Sequence, residues 1–254
     1  FTPPRFSLFI LFAVCFCISS ALLSYGADST SHVRLVGDST MADKPLEKPN
    51  PERGWGQLFP RFFKNLAVVV NYAKNGRSTK SFIDEGLWQK TFDDLQPGDF
   101  VIIEFGHNDE KTEDPKRFTD PATTFRENLK RFIRESRAKG AFPILATPIN
   151  RRNFDKENRL VDTHGAYPDA IRAVATEEKV PLLDLHHDTR PFLEKLGPEE
   201  SKKFFVWVEP GQYEIIPEGR HDNTHLNEAG AIAVGEIVVK EIRDEKIPLA
   251  KWLK

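Results

Sequence analysis

The stretch Val33-Arg34-Leu35-Val36-Gly37-Asp38-Ser39-Thr40 is a short apolar run that ends abruptly in Gly-Asp-Ser-Thr. This pattern predicts a buried strand whose carboxyl end turns sharply and lifts one hydroxyl, that of Ser39, out of a sheet. Ligands of open α/β sheets bind beyond the carboxyl ends of the strands, so Ser39 stands where chemistry is expected. A serine hydroxyl becomes a nucleophile only beside a base, and an imidazole base needs an orienting carboxylate. Asp222-Asn223-Thr224-His225, near the other end of the chain, offers that pair three residues apart. The combination points to hydrolysis.

Working outward, five segments read as buried strands: Val33 to Val36, Ala67 to Tyr72, Phe100 to Phe105, Pro143 to Thr147, and Val180 to Leu185. Each is short, apolar or β-branched, and closed by a turn-forming or polar residue. Helical spacing lies between them. The clearest helix is predicted over Thr124 to Lys139, with Phe125, Leu129, Phe132 and Ile133 on one face. Thr124 and Glu127 make a capping box for it, and Gly140 is its stop. A last helix is expected from Asn227 to Ile242, with Ala229, Ala233, Ile237, Val234 and Val238 inward. Strands alternating with helices predict an α/β domain, its mostly parallel sheet covered on both faces. Two stretches, Met41 to Trp55 and Arg190 to His221, read as irregular loops of the kind that shape substrate sites.

The 254 residues suit one such domain, and 39% hydrophobic with 29% charged residues is an ordinary globular balance. Residues 1–27 are a different material. Arg5, the apolar run Phe6 to Leu23, and Ser24-Tyr25-Gly26-Ala27 read as a secretory signal peptide, leaving 28–254 as the single domain. An uncleaved anchor is the rival reading, because about 18 apolar residues can just span a bilayer. Cys15 and Cys17 both lie in this leader, so the mature chain has no cysteine for a disulfide, thiolate or metal site. Loss of Arg5 with the leader takes the formal charge from -2 to -3. Dispersed lysines and arginines make no basic stripe, which argues against nucleic acid as a partner. The expectation is a monomer in the periplasm or medium, with no membrane partner once the leader is removed.

Four polar clusters follow these elements: Gly37 to Thr40, Asn75 to Ser78, Gly106 to Asp109, and Asp222 to His225. Each alone has a plain structural reading. Gly76 suits a turn with positive φ, Asn108 a turn, and Asp222 a helix cap. Ser39 suits a turn or cap, and His225 a surface position. Their joint occurrence, in this order, is what carries weight, since a parallel sheet can bring all four to one edge.

Gly37-Asp38-Ser39, Gly76 in Asn-Gly-Arg-Ser, Asn108 in Gly-His-Asn-Asp, and Asp222-x-x-His225 resemble the four blocks of the SGNH, or GDSL, hydrolases. Gly54-Trp55-Gly56-Gln57, Asn75 to Phe82 and Asp222 to Asn227 are similar to the rhamnogalacturonan acetylesterase branch. The likeness runs from about Val33 to Ile242. It implies a flavodoxin-like three-layer α/β/α sandwich with a five-stranded sheet, and removal of acetyl groups from pectin without a cofactor. It implies Ser39 as nucleophile, His225 as base and Asp222 as the residue that orients it. It also implies an oxyanion hole made by the Ser39 and Gly76 amides and the Asn108 side chain. A side chain at Gly76 would crowd the acyl group, and the Asn108 amide is a neutral double donor. Trp55, Arg77 and Arg152 are named as substrate contacts, with Arg77 or Arg152 supplying a cation for uronate. Trp88, Trp207, Tyr167 and Arg151 are further candidates, Trp88 and Tyr167 also reading as partly buried helix residues.

Ser78 is a rival nucleophile, although it reads better as a helix cap. His107, His164, His186, His187 and His221 compete with His225, but none has a carboxylate three residues earlier just before the last helix. His221 adjoins Asp222, and neighbours in an extended segment point opposite ways. Met41 stands where an α/β-hydrolase elbow has its second glycine. A metal-dependent phosphoesterase shares Gly-Asp and a Gly-Asn-His-Asp string, but here His107 precedes Asn108 and the remaining ligand motifs are missing from the sequence. A non-catalytic glycan-binding module would not need Ser39, Asp222 and His225 together. Among other acyl substrates, lysophospholipids and thioesters call for an apolar channel, which the charged loops here do not offer; xylan acetates stay open.

Overall fold

Strand β1, Val33–Gly37, is buried at every residue, because it lies between two parallel neighbours and under helices on both faces. The computed structural model describes residues 32–64 and 69–254. β1 pairs with β2 (Val69–Asn71) on one side and β3 (Phe100–Glu104) on the other. β4 (Phe142–Ala146) and β5 (Leu182–Leu183) extend the sheet beyond β3, all parallel, in the order β2-β1-β3-β4-β5. Arg34 is the one charge within β1, and its guanidinium is satisfied inside the protein. Nε donates to Asp99 at 3.0 Å, and Nη1 and Nη2 donate to the Tyr72 hydroxyl and the Asp94 carbonyl.

Alternating strand residues feed two cores. Leu35, Ile102 and Ile144 face α1 (Trp55–Leu58), α6 (Leu185–Glu200) and α7 (Glu228–Asp244), through Trp55, Leu193, Val234 and Val238. Val36, Val101, Ile103 and Leu145 face the other way. They pack on α2 (Thr79–Asp84), α3 (Leu87–Asp94), α4 (Thr124–Ala138) and α5 (Tyr167–Glu178), through Phe82, Trp88, Phe132 and Ile171. This is the expected three-layer α/β/α sandwich. Its strand order reverses between β1 and β3, and the crevice outside their carboxyl ends is where such sheets place a ligand.

Several local expectations are corrected. The start of the second predicted strand, and the leader 1–27, lie outside the described residues. Thr124 is the first helical residue of α4 rather than its cap. Its hydroxyl accepts from the Asp120 amide, and the cap residue is Thr123, whose side chain makes no cap bond to the first turn, so the Thr124–Glu127 capping box is not formed. Gly140, at φ 73°, does end that helix. On α7 Ala229 is exposed, and the buried stripe runs through Ala231, Val234, Val238 and Ile242. The stretch Arg190 to His221 is not one loop. It holds most of α6, strand β6 (Phe205–Val208) and the start of β7 (Arg220–Leu226), which pairs antiparallel with β6. Pro191 and Pro198 hid the helix, whose backbone breaks at Gly197 (φ 69°). Arg-His-Asp-Asn-Thr-His-Leu carries no β-branched run to announce a strand.

Candidate active site

The turn after β1 is built by Asp38. Its carbonyl accepts from the Met41 and Ala42 amides, and its Oδ1 accepts from the Thr40 amide at 3.0 Å. The bends are tight enough to leave Ser39 at the mouth of the crevice, 8% exposed. Gly37 is required here by close approach, since a Cβ would stand 2.7 Å from the Glu104 carbonyl of the neighbouring strand.

Asp222 and His225 reach the same edge from β7. Phe205 opposes Leu226 while Trp207 opposes His221, so Asp222 to His225 bulge out against a single β6 residue. Without the bulge, residues three apart would point to opposite faces of the ribbon. Asp222 shapes it: Oδ1 accepts from the Thr224 amide at 2.7 Å and the His225 amide at 2.9 Å. Its Oδ2 is 2.7 Å from His225 Nδ1, and His225 Nε2 is 2.9 Å from Ser39 Oγ. Burial alone would push the Asp222 carboxyl up, but bonds and charge from His225 and the two amides hold it down to about 2. A hydroxyl joined in this way to an imidazole and an ionised carboxylate can be deprotonated as it attacks a carbonyl.

Donors stand around it. Among the described residues, neither the Ser39 nor the Gly76 amide finds an acceptor. Gly76 has φ +75° and a Cβ there would meet nothing within 4 Å, so the structure requires glycine for its backbone conformation rather than for space. Asn108 is fixed at both ends of its amide. Nδ2 donates to the Arg77 carbonyl at 3.1 Å, and Oδ1 accepts from Arg117 at 3.1 Å, which leaves one amide N–H uncommitted. Ser78 caps α2 in a reciprocal box with Ser81 and takes no part in this edge.

A layer of buried acid groups lies beneath. His107 Nδ1 is 3.4 Å from Asp38 Oδ2, and burial pushes this imidazole down to about 4 although Asp38 pulls the other way. The single hydroxyl hydrogen of Thr40 faces two carboxyls, Asp38 Oδ1 at 3.0 Å and Glu104 Oε1 at 3.3 Å. It can serve one of them, so a neutral Glu104 that donates to Thr40 completes the chain. Burial, then the Asp38 charge, pushes Glu104 up to about 8, in agreement with that count.

The edge opens into a cavity of about 460 Å³ lined by Ser39, Gly76, Asn108 and His225, with Lys111, Arg117, Arg151 and Arg220 around it. The three substrate contacts expected from the sequence do not reach this cavity. Trp55 is fully buried, its indole donating to Glu104 Oε2 at 2.6 Å. Arg77 turns to Glu85, Nη2 to Oε2 at 2.7 Å. Arg152 lies over the Trp207 ring at 4.6 Å and donates to Asn223 Oδ1 at 2.6 Å. Sequence composition marks tryptophans and arginines but not where loops turn them. Arg151, one of the wider candidates, does line the cavity; Arg117, Lys111 and Arg220 carried no sequence signal beyond their charge. Trp88 and Tyr167 are buried, and His221 stacks on Trp207 with ring centroids 4.4 Å apart, neither ring lining the Ser39 cavity.

A family model described as GDSL-like Lipase/Acylhydrolase family matches residues 35–231. The chain belongs to this family. Within it, the chain falls in the rhamnogalacturonan acetylesterase branch. It is 43% identical to rhamnogalacturonan acetylesterase RhgT of Bacillus subtilis (strain 168), over 87% of this chain and 93% of that protein. It is 34% identical to the probable rhamnogalacturonan acetylesterase YesY of the same organism, over 87% of this chain and 96% of that one. The crystal structure of protein YxiM from Bacillus subtilis superposes with TM-score 0.72 at 28% identity, covering 87% of this chain and 58% of that chain. An acetylxylan esterase from Geobacillus stearothermophilus has the same fold at TM-score 0.59 and 15% identity, over 84% of this chain and 94% of that one. The family is one of ester hydrolases, and this member is a carboxylic ester hydrolase.

Proposed function

We propose that the enzyme removes O-acetyl groups from rhamnogalacturonan by transient acylation of Ser39. The observation that carries the reading is the unbroken line from Ser39 Oγ to His225 at 2.9 Å and from His225 to Asp222 at 2.7 Å. His225 takes the serine proton as Oγ attacks the acetyl carbonyl, then gives a proton to the departing sugar oxygen. The carbonyl oxygen gains charge meanwhile, and the Ser39 and Gly76 amides and the Asn108 amide are the donors at hand. Each such donor is worth about 3–4 kcal/mol in other hydrolases. Water, activated by the same imidazole, releases acetate. No step needs a cofactor.

Two further observations support the substrate. Relatives at 43% and 34% identity carry the name rhamnogalacturonan acetylesterase. Lys111, Arg117, Arg151 and Arg220 line the cavity with Glu52; the three arginines are paired with Asp114, Glu110 and Glu52, which leaves Lys111, among the described residues, as the cation there that suits a carboxylate of an acidic polysaccharide. The leader read from the sequence would bring the enzyme to that polymer in the periplasm or medium. The test is acetate release from acetylated rhamnogalacturonan, acetylated xylan and 4-nitrophenyl acetate side by side. The pectic polymer is expected to have the highest kcat/KM, and Ser39→Ala is expected to lose about 10⁶ in kcat while staying folded. A preference for xylan would overturn the substrate, and turnover surviving in Ser39→Ala would overturn the mechanism.

A further inference from the structure

Lys44, Glu52 and Arg220 lie outside the four sequence blocks, yet they close a ring of polar contacts around the catalytic residues. Lys44 Nζ is 2.6 Å from the Ser39 carbonyl oxygen, 2.5 Å from Asn75 Oδ1 and 2.8 Å from Glu52 Oε1. The other oxygen of Glu52 accepts from Arg220 Nη2 at 2.6 Å. Arg220 Nε then stands 3.6 Å from Asp222 Oδ2, a charge contact rather than a hydrogen bond. From Asp222 the path continues through His225 to Ser39 Oγ. It leaves Ser39 by the hydroxyl and returns by the carbonyl.

The chemistry of each member makes the ring demanding. Lys44 is only 4% exposed, and its three N–H donors meet three oxygens. A buried ammonium is tolerable only when so paired, which fixes where its partners stand. Those partners belong to three separate loops: the nucleophile turn, the turn before Gly76 and the segment leading to α1. Burial pushes Glu52 up, but Lys44, His225 and Arg220 together hold it ionised. A backbone bridge between Glu52 and Asn227, and the Arg53 amide bound to the Leu226 carbonyl, tie the same segment to the end of β7.

We infer that Lys44, Glu52 and Arg220 form a positioning clamp that sets the distance between the β1 turn and the β7 bulge, with Glu52 and Arg220 biasing the His225 imidazolium in opposite senses. The inference rests on the esterase reading above. His225 sees Asp222 and Arg220 from its own strand and Glu52 from the facing loop. Across the cavity it sees Arg117, Lys111, Arg151 and the neutral His107. In that field a carboxylate lost from Glu52 disfavours the imidazolium, and a guanidinium lost from Arg220 favours it.

The experiment measures kcat/KM against pH on 4-nitrophenyl acetate for the wild type, Lys44→Met, Glu52→Gln, Arg220→Gln and Arg220→Lys. Misplacement of reacting groups predicts a fall in kcat on the order of tenfold to a hundredfold for Lys44→Met and Glu52→Gln, with KM little changed. The acid limb is expected to move down by about half a unit or more in Glu52→Gln, and up in Arg220→Gln. Arg220→Lys, which keeps the charge, is expected to leave it at the wild-type position. Should Lys44→Met fail to fold, Arg220, one-third exposed, carries the test. Limbs that coincide, or that move the same way in the two charge-removing variants, would overturn the clamp. A wild type that does not turn over the ester would instead overturn the esterase reading. The same opposite displacement is then sought in the His225 ring signals by NMR titration, where coincident curves would dismiss the clamp independently.

Discussion

The two halves of the site are built in different ways. Ser39 follows a strand held on both sides by parallel neighbours and covered on both faces, and Asn108 follows the adjacent strand of the same sheet. Asp222 and His225 sit instead on a two-stranded antiparallel ribbon, partly exposed, in a bulge that one carboxylate shapes. The first half owes its geometry to the core, and the second to side-chain bonds made within four residues. Ser39 and Asn108 cannot shift without disturbing a sheet. His225 can, and Glu52 bonds to Arg220 and bridges to Asn227 at the two ends of its ribbon strand.

This contrast can be broken at either end. The largest effect is expected on the ribbon: Asp222→Asn should lower kcat by about 10⁴, as loss of the orienting carboxylate does in other triads. An Asn oxygen can still accept from the Thr224 and His225 amides, so circular dichroism and thermal melting should show little change. A variant within tenfold of wild type would mean that the bulge, rather than the charge, is what the imidazole needs. On the sheet side, Asn108→Ala should cost about 10²–10³ in kcat with KM nearly constant, because the donor is needed mainly as charge develops. A change confined to KM would make Asn108 a ground-state binding residue.

The smallest effect concerns the buried floor and is read in stability. Glu104, raised to about 8 in the fold, keeps its proton at pH values where an unfolded chain, near the ordinary 4.5, has released it. The folded state then binds more protons than the unfolded one, so stability falls as pH rises from 4.5 towards 8. Glu104→Gln should remove that dependence, on the order of 1–3 kcal/mol between pH 5 and 8 by urea unfolding. Part of the slope should remain, since burial and Asp188 raise Glu241 to about 8 as well. Equal slopes in the two proteins would show Glu104 to be ionised.

Legibility followed the same divide. The inner strands were readable because parallel strands buried on both faces are apolar almost throughout, Arg34 and Glu104 apart, and the inward face of α4 because its period is unambiguous. Of the strand expected over Val180 to Leu185 only Leu182–Leu183 forms, and Leu185 opens α6. The capping box at Thr124 failed because Asp120 offers the chain an alternative turn one step earlier. Strand β7 was unreadable because its residues, Leu226 apart, are polar or charged and lack the β-branched or aromatic run that marks a strand. Trp55 looked like a sugar platform, yet its indole is spent on a buried carboxyl that no local pattern announces.

The amino-acid sequence alone determined the alternation of strands and helices, and the order of the four polar blocks that fall at one edge of the sheet. Those features are local, or repeat with a fixed period, so residue type is enough to reveal them. Only the tertiary structure decided which cations line the cavity, that Glu104 shares a proton network under Ser39, and that Lys44 and Arg220 meet through Glu52. Such contacts join residues up to 168 positions apart. Their existence depends on how loops with no periodic signal turn in space, and that is settled by packing and by the need to pair every buried charge.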